Sequence, residues 1–197
     1  MLIAEFPDGV AIRRVISAED AAQWRASFAG AYQTIFGGPP FHERFYPNEA
    51  EGVWRKLTGT PHNITLLATR GVDQVLGFGI GIPLTAKEPV AKELTGLVPL
   101  HHTFYLAELG VLQKYRGLRL GRTLVRERLR LVDPKRFSHV VLRVSTSDPG
   151  PLAMYRAMGF EEMGVSMEVS AMRIDGHVTT DRRLFLSMVL SQVRLDG

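Results

Sequence analysis

The sequence predicts a mixed α/β domain around a mostly antiparallel twisted sheet. Three observations carry this. Consecutive β-rich runs separated by turn residues read as a meander in the first half of the chain. The stretch Glu108–Val132 (ELGVLQKYRGLRLGRTLVRERLRLV) passes from an apolar strand through a glycine-bearing turn into an amphipathic helix, and a further strand follows, as in one βαβ unit. Asp175-Gly176 separates two alternating runs, a strong hairpin signal. The element order is β, α, α, β, β, β, α, β, α, β, β, which gives about seven strands and about four flanking helices. No long repeat interrupts it, and 197 residues suit one domain spanning 1–197.

Each element has its own signals. Gly9–Ile16 (GVAIRRVI) is the first strand. Ser17 caps the next helix, with Asp20 three residues on. Ala22, Trp24, Phe28, Tyr32 and Ile35 recur at helical spacing up to about Phe36, and Gly37-Gly38-Pro39-Pro40 ends the helix. Phe41–Tyr46 is an aromatic loop, and a second helix from near Pro47 carries Val53, Trp54 and Leu57. Asn63–Arg70 and Val75–Pro83 form a hairpin around Gly71–Gln74. Gly77, Gly79 and Gly81 share one face of its second strand, a bare face that suits either close packing or the approach of a ligand. Residues 84–102, with Pro89, Gly96 and Pro99, read as an inserted loop or lid with one short helix. Thr103–Leu112 is a strand. Gly121–Val132 is a helix with Leu124, Val125, Leu129, Leu131 and Val132 on its core face, stopped by Asp133-Pro134. His139–Val144 is the next strand. Asp148 caps a helix opened by Pro149 and closed by Gly159. Phe160–Ile174 and Arg183–Val193 are the last two strands.

Composition narrows the function. With 45% hydrophobic and 22% charged residues, the chain reads as a soluble globular protein that buries about 70% of its unfolded surface. It has no cysteine, which excludes disulfides, Cys-ligated metals and a thiol nucleophile, and points to the cytoplasm. The N-terminal MLIAEFPDGVAIRR has no basic n-region followed by a long apolar run, so it does not read as a signal peptide. No apolar run reaches the ~18 residues of a membrane span, so no membrane partner is expected. The net charge of +4 is concentrated. Lys114, Arg116, Arg119, Arg122, Arg126, Arg128 and Arg130 lie close together, with Glu127 the only acid among them. Such a run is ordinarily a solvated helix face. Beginning at a glycine loop, it points instead to a phosphate-bearing partner, a cofactor or nucleic acid.

The loop fails two phosphate patterns. Gly117–Thr123 is one residue short of the nucleotide P-loop and has Arg where that loop needs Lys. The dinucleotide spacing G-x-G-x-x-G is absent. A third pattern fits. Val111 to Gly121 resembles motif A of the GCN5-related N-acetyltransferase (GNAT) superfamily, Q/R-x-x-G-x-G/A after a strand ending in Val. Arg116 and Gly121 match its ends, and Arg119 stands in the middle glycine position, an exchange that suits a negative φ there. Downstream, Asp148-Pro-Gly-Pro-Leu-Ala-Met-Tyr155-Arg-Ala-Met-Gly159-Phe160 resembles motif B, with Tyr155, Gly159 and Phe160 matching and Asp148 in place of the usual Asn.

The resemblance implies a GNAT-like fold and acetyl-CoA as cofactor. Backbone N–H groups from Arg116 through Gly117, Leu118, Arg119, Leu120 and Gly121 to Arg122 would cradle its diphosphate, aided by the helix dipole. Leu109, Gly110 and Val111 would border it, and Asp148 and Tyr155 would contact it. An alkyl ammonium with a pKa near 10 must lose a proton before it attacks the thioester. Glu108, three residues before Val111, is the candidate base. The alternative for Glu108 is a strand-edge glutamate paired with a cation such as Arg143. Alternation directs Glu108 away from the face of Ala107 and Leu109. An amide near Gly110 or Val111 is the candidate oxyanion donor, and Tyr155 the candidate acid for the leaving thiolate.

Phe36, Phe41 and Tyr46, with Phe45, are candidates for the wall of the acceptor site, and His101-His102 precede the catalytic strand. Glu43, Glu49 and Glu51 are the carboxylates available to a polycationic acceptor. No histidine has a partner at metal-ligand spacing, so no metal is expected. The expected acceptor is a small-molecule amine. The alternatives are a protein N-terminus, a lysine side chain, or a non-catalytic CoA-binding module. Nucleic acid is not expected, and the C-terminal hairpin suggests a homodimer by the same resemblance.

Overall fold

The structure, a computed structural model, describes residues 1–6 and 9–190. In chain order its elements are β1 (Leu2–Glu5), β2 (Val10–Val15), α1 (Ala18–Gly37), α2 (Pro47–Thr58), β3 (Ile64–Arg70), β4 (Gln74–Pro83), α3 (Glu88–Glu93), β5 (Thr103–Val111), α4 (Leu120–Leu131), β6 (His139–Ser145), α5 (Pro149–Ala157), β7 (Glu161–Met172) and β8 (Val178–Val189). The strands form one sheet in the order β1-β2-β3-β4-β5-β6-β8-β7. Every neighbouring pair is antiparallel except β5 and β6. A parallel pair needs a crossover, which α4 supplies. No described helix is long and apolar enough to cross a membrane.

Two strand expectations change. The sheet has eight strands rather than about seven, because Leu2–Glu5 adds an edge strand. It is short and owes its form to pairing with β2, which no local pattern announces. β8 begins at Val178, well before Arg183. Its first half is polar (Thr179, Thr180, Asp181) and is strand because it pairs with β7 from Met172 onward. The expected end of this strand, 191–193, lies outside the described residues.

Strand alternation sorts the core into two clusters. Leu66, Leu76, Phe104, Leu106, Val140 and Leu142 pack on one face with Leu120, Leu124 and Leu129 of α4 and Tyr155 of α5. Leu67, Phe78, Ile80, Tyr105, Val141 and Phe185 pack on the other with Trp24, Phe28 and Tyr32 of α1 and Trp54 of α2. Trp54 also donates its ring N–H to the Ala21 carbonyl at 2.8 Å, tying α2 to α1. Leu84, Val90 and Leu94 are buried in this second cluster, so the 84–102 segment is seated in the core rather than held over it.

The glycine face of β4 is filled by protein. A Cβ on Gly81 would stand 2.3 Å from the Phe104 ring, and one on Gly77 2.7 Å from the Gly110 carbonyl. One on Gly79 would stand 2.7 Å from Nε of Arg128. Of the two readings of this face, close packing holds.

Two irregularities open the middle of the sheet. β5 and β6 pair only from Thr103↔His139 to Leu106↔Leu142, and β5 then continues alone to Val111. Across the other edge of β5, Ile80 of β4 pairs with Glu108 while Gly81 pairs with Leu106. Ala107 is therefore the extra residue of a β-bulge. The divergence makes a slot through which the two faces of the sheet communicate.

Candidate active site

The slot leads into two adjoining cavities. The smaller, about 120 Å³, is lined by Phe36, Leu106, Glu108, Arg143, Tyr155 and Arg183 among others. The larger, about 480 Å³, follows Leu109, Gly110 and Val111 to the loop of Arg116, Gly117, Arg119, Leu120, Gly121 and Arg122. Phe41, Leu109, Asp148 and Pro151 line both, so the two form one trough.

Its wide end is a helix N-terminus without a cap. The Arg116 amide is already used, donating to the Gln113 carbonyl at 3.1 Å. The helical ladder starts with the Thr123 amide donating to Arg119 at 3.0 Å. The amides from Gly117 to Arg122 precede that ladder, the usual orphan donors of a helix start. α4 has neither a side-chain cap nor an acid in its first turn, so these donors and the helix dipole are left for an anion. Gly117 (φ 89) and Arg119 (φ 59) both adopt left-handed backbone. The expectation of a negative φ at Arg119 therefore fails: the residue keeps the conformation that a glycine would adopt there more cheaply. Arg119→Gly is expected to raise stability by up to about 1 kcal/mol, the strain relieved less the entropy glycine loses. Urea denaturation reads this, and an unchanged or lower midpoint would contradict it.

At the narrow end, the bulge redirects Glu108. Ala107 packs in the α1–α2 cluster. The groups acting on the Glu108 carboxylate, Lys87, Arg143, Arg183 and Glu43, also stand on that side of the sheet. Strict alternation, which set Glu108 opposite Ala107, is broken by the extra residue. Burial raises the Glu108 pKa above the ordinary glutamate value, and the cations Lys87, Arg143 and Arg183 oppose the rise. Among the described residues, Glu108 has no ion-pair partner within 4.0 Å. Arg143, the alternative partner, influences it only through its field.

Tyr155 reaches the same cavity from the other face. It is buried, with its ring edge-on to Phe160 at 5.6 Å. Burial raises its pKa and the Arg128 guanidinium lowers it. Arg128 is the residue that sequence reasoning missed. Counted there with the basic run, it is 0% exposed. Its Nε donates to the Leu124 carbonyl at 3.1 Å, and its Nη1 to the carbonyls of Ile80 at 3.1 Å and Glu108 at 3.0 Å. Among the described residues its Nη2 makes no hydrogen bond of good geometry, though the guanidinium stands close enough to the Tyr155 hydroxyl for each to act on the other's pKa. Burial pulls the Arg128 pKa down to about 10. The available signal was position: Arg128 lies four residues after Leu124, on the stripe begun by Leu120, and faces the glycines of β4.

Most other sequence candidates meet in the trough. Asp148 lines it while accepting from the Gly150 amide at 3.1 Å, so it is also the cap of α5. Phe36 and Phe41 lie 5.4 Å apart, centroid to centroid, and wall the narrow end. Arg116 and Arg122 line the wide end. Tyr46 does not join them. It is 53% exposed, starts α2, and carries the Arg44 guanidinium over its ring. Leu118 is exposed and lines neither cavity. His101 and His102 also lie outside, with His102 Nδ1 at 3.1 Å from the Arg136 carbonyl.

The three glutamates considered for a polycation are all engaged. Glu43 pairs with Arg183 at 3.2 Å, Glu49 accepts from the Tyr46 amide, and Glu51 pairs with Arg25 and Arg55. Arg183 also pairs with Asp181, which accepts from the Ser145 and Ser147 hydroxyls. This network comes from the previously unassigned first half of β8 and from segments far apart in sequence.

Comparisons with known proteins point the same way. The family model described as the acetyltransferase (GNAT) family matches residues 23–160. Among solved structures, the ribosomal-protein-alanine N-acetyltransferase from Brucella melitensis is 18% identical over 90% of this chain and 98% of its own, with a TM-score of 0.62. Arabidopsis thaliana NAA60 in complex with acetyl-CoA is 14% identical over 92% of this chain and 99% of its own, at 0.64. An N-acetyltransferase from Staphylococcus aureus Mu50 is 13% identical over 92% and 98%, at 0.63. At such identities the likeness is one of fold. No curated protein matches the chain in sequence.

Proposed function

The chain belongs to the GNAT acetyltransferase family, and from that premise we propose that it is an acetyl-CoA-dependent N-acetyltransferase acting on a primary amine of a small molecule, by direct attack in a ternary complex. One observation carries the reading. Glu108 and Tyr155, on opposite faces of the sheet, line one small cavity at the head of a trough that ends at an uncapped helix N-terminus.

The residues present fit the cofactor. Among the described residues the amides from Gly117 to Arg122 have no anion partner, and Arg116, Arg119 and Arg122 stand around them, as a diphosphate requires. Leu109, Gly110, Val111 and Asp148 would border the arm that runs to the narrow end. When bound, acetyl-CoA supplies an acetyl group activated as a thioester.

The chain's own residues then divide the work. Glu108 takes the proton of the acceptor ammonium, directly or through a water. Its raised pKa brings it closer to neutral pH, where a general base works best. An amide near Gly110 or Val111, on the part of β5 that has left β6, is the oxyanion donor. Tyr155 would give its proton to the sulfur as the carbon–sulfur bond breaks, and the second proton shed by the attacking nitrogen would return to the Tyr155 phenolate. Burial keeps its phenol protonated until then, and Arg128 beside it favours the phenolate that remains.

A small acceptor is supported by the size of the narrow end, about 120 Å³. The tip of the β7–β8 hairpin is fastened over the loop after α1: the Arg44 amide donates to Met172 at 2.8 Å and the Ile174 amide to His42 at 2.9 Å. A thiol-release assay with acetyl-CoA against a panel of small amines, N-terminal peptides and lysine peptides tests the reading. Turnover confined to peptides would replace the small molecule with a protein acceptor. Turnover that survives loss of both Glu108 and Tyr155 would sink their roles. We also propose a homodimer through β7–β8, where β7 is the sheet's outer strand; light scattering is expected to give twice the chain mass, and a monomeric mass would remove the proposal.

A further inference from the structure

The narrow cavity holds charges that its protein neighbours leave unused. Arg183 is spent on Glu43 and Asp181. Arg143 is not. Its Nη1 donates to the Met167 thioether at 3.2 Å, a weak acceptor, and among the described residues no carboxylate lies within 4.0 Å of it. The buried hydroxyl of Tyr105, on the same face of the neighbouring strand, lies close enough for Arg143 to oppose the rise that burial gives its pKa, but among the described residues it makes no hydrogen bond of good geometry, so the only other group at the Arg143 guanidinium is a neutral phenol. Across the cavity, Glu108 is a carboxylate with no cation within 4.0 Å among the described residues. The lining thus offers one free positive group and one free negative group to a single occupant. A polyamine would satisfy Glu108 but would bring further positive charge towards Arg143 and Lys87. An uncharged amine would leave Arg143 desolvated and unpaired, which is costly.

We propose that the acceptor is an amino acid, or a compound with the same pairing of primary amine and carboxylate, whose carboxylate is held by Arg143 while its amine faces Glu108. This rests on the acetyltransferase reading above. A guanidinium–carboxylate contact is charge-assisted and directional, so it selects as well as binds.

The test compares matched acceptors with acetyl-CoA: a panel of free amino acids, their carboxamides, and spermidine. In the unaltered protein, kcat/KM for the best acid is expected to exceed that of its carboxamide by about 10- to 100-fold. Arg143→Gln is expected to bring that ratio towards one by raising KM for the acid, and Arg143→Lys to restore part of it. A purely structural role would move acid and amide together and leave the ratio intact. Carboxamides or spermidine used as well as the acids would overturn the proposal, as would an unchanged ratio in Arg143→Gln. Calorimetric titration with acetyl-CoA separates the two levels. No binding takes down the acetyltransferase reading and this inference with it. Binding without turnover of any carboxylate-bearing amine takes down this inference alone.

Discussion

Glu108→Gln is expected to lower kcat by about 10²- to 10⁴-fold, the usual contribution of a positioned general base. The substitution keeps the shape of the side chain and removes its capacity to accept a proton. The pH profile supplies the sharper reading. In the proposed role the working form is the carboxylate, and burial raises its pKa, so activity should rise with pH along a limb centred above the ordinary glutamate value. That limb should vanish in Glu108→Gln. Stability should move the other way. A carboxyl whose pKa is raised by folding costs the native state stability above its folded pKa. It costs nothing below the unfolded value, where both states are protonated. Glu108→Gln should therefore be more stable than the parent at neutral pH, with the difference closing in acid. A loss of kcat accompanied by a loss of neutral-pH stability would point to a structural role instead.

Arg128→Met is the second large effect. Two terms compete. Removing a buried cation ends its desolvation cost, which favours the variant. It also strips the donor from the carbonyls of Ile80 and Glu108, which flank the bulge and stay buried. Each orphaned acceptor costs about 1–3 kcal/mol, and the acceptors remain after the charge has gone, so the second term should win by about 2–4 kcal/mol. For a domain of this size that corresponds to a fall in Tm of roughly 5–15 °C. Arg128→Lys should recover only part of it, because one ammonium cannot reproduce the planar fork. Because the same guanidinium favours the Tyr155 phenolate, the alkaline side of the pH profile should move up in whichever variant remains folded. A melting temperature equal to the parent's would refute the bracing role.

What the sequence disclosed follows the range of the interactions concerned. The glycine loop, the Asp148 cap and the closing Gly159 are local backbone chemistry, and they were legible. So were α1 and α2, whose apolar spacing matches the helix they form. Three features were not. Arg128 was counted by its charge, while its place on the α4 stripe opposite Gly79 required knowing which strand faced the helix. The direction of Glu108 depends on one extra residue at Ala107, and a bulge leaves no mark on an alternation pattern. The polar network around Arg183 joins Glu43, Ser145 and Asp181, which only the tertiary fold brings together. The first half of β8 was missed because its residues are polar for the sake of that network.

The strand order also sets a sequence of assembly. β1 to β5 lie in the sheet in the order in which they are synthesised, so each can pair with its predecessor as it emerges. β7 cannot: its place is beside β8, which is made after it and separates it from β6. Its only partner among the described strands is made after it, so β7 has no place in the sheet before β8 exists. The glycine loop before α4 lies between β5 and β6, strands made before that pair. The wall that carries Asp181 and Arg183 belongs to that last-made pair, so the narrow cavity proposed for the acceptor is completed only when β8 is in place.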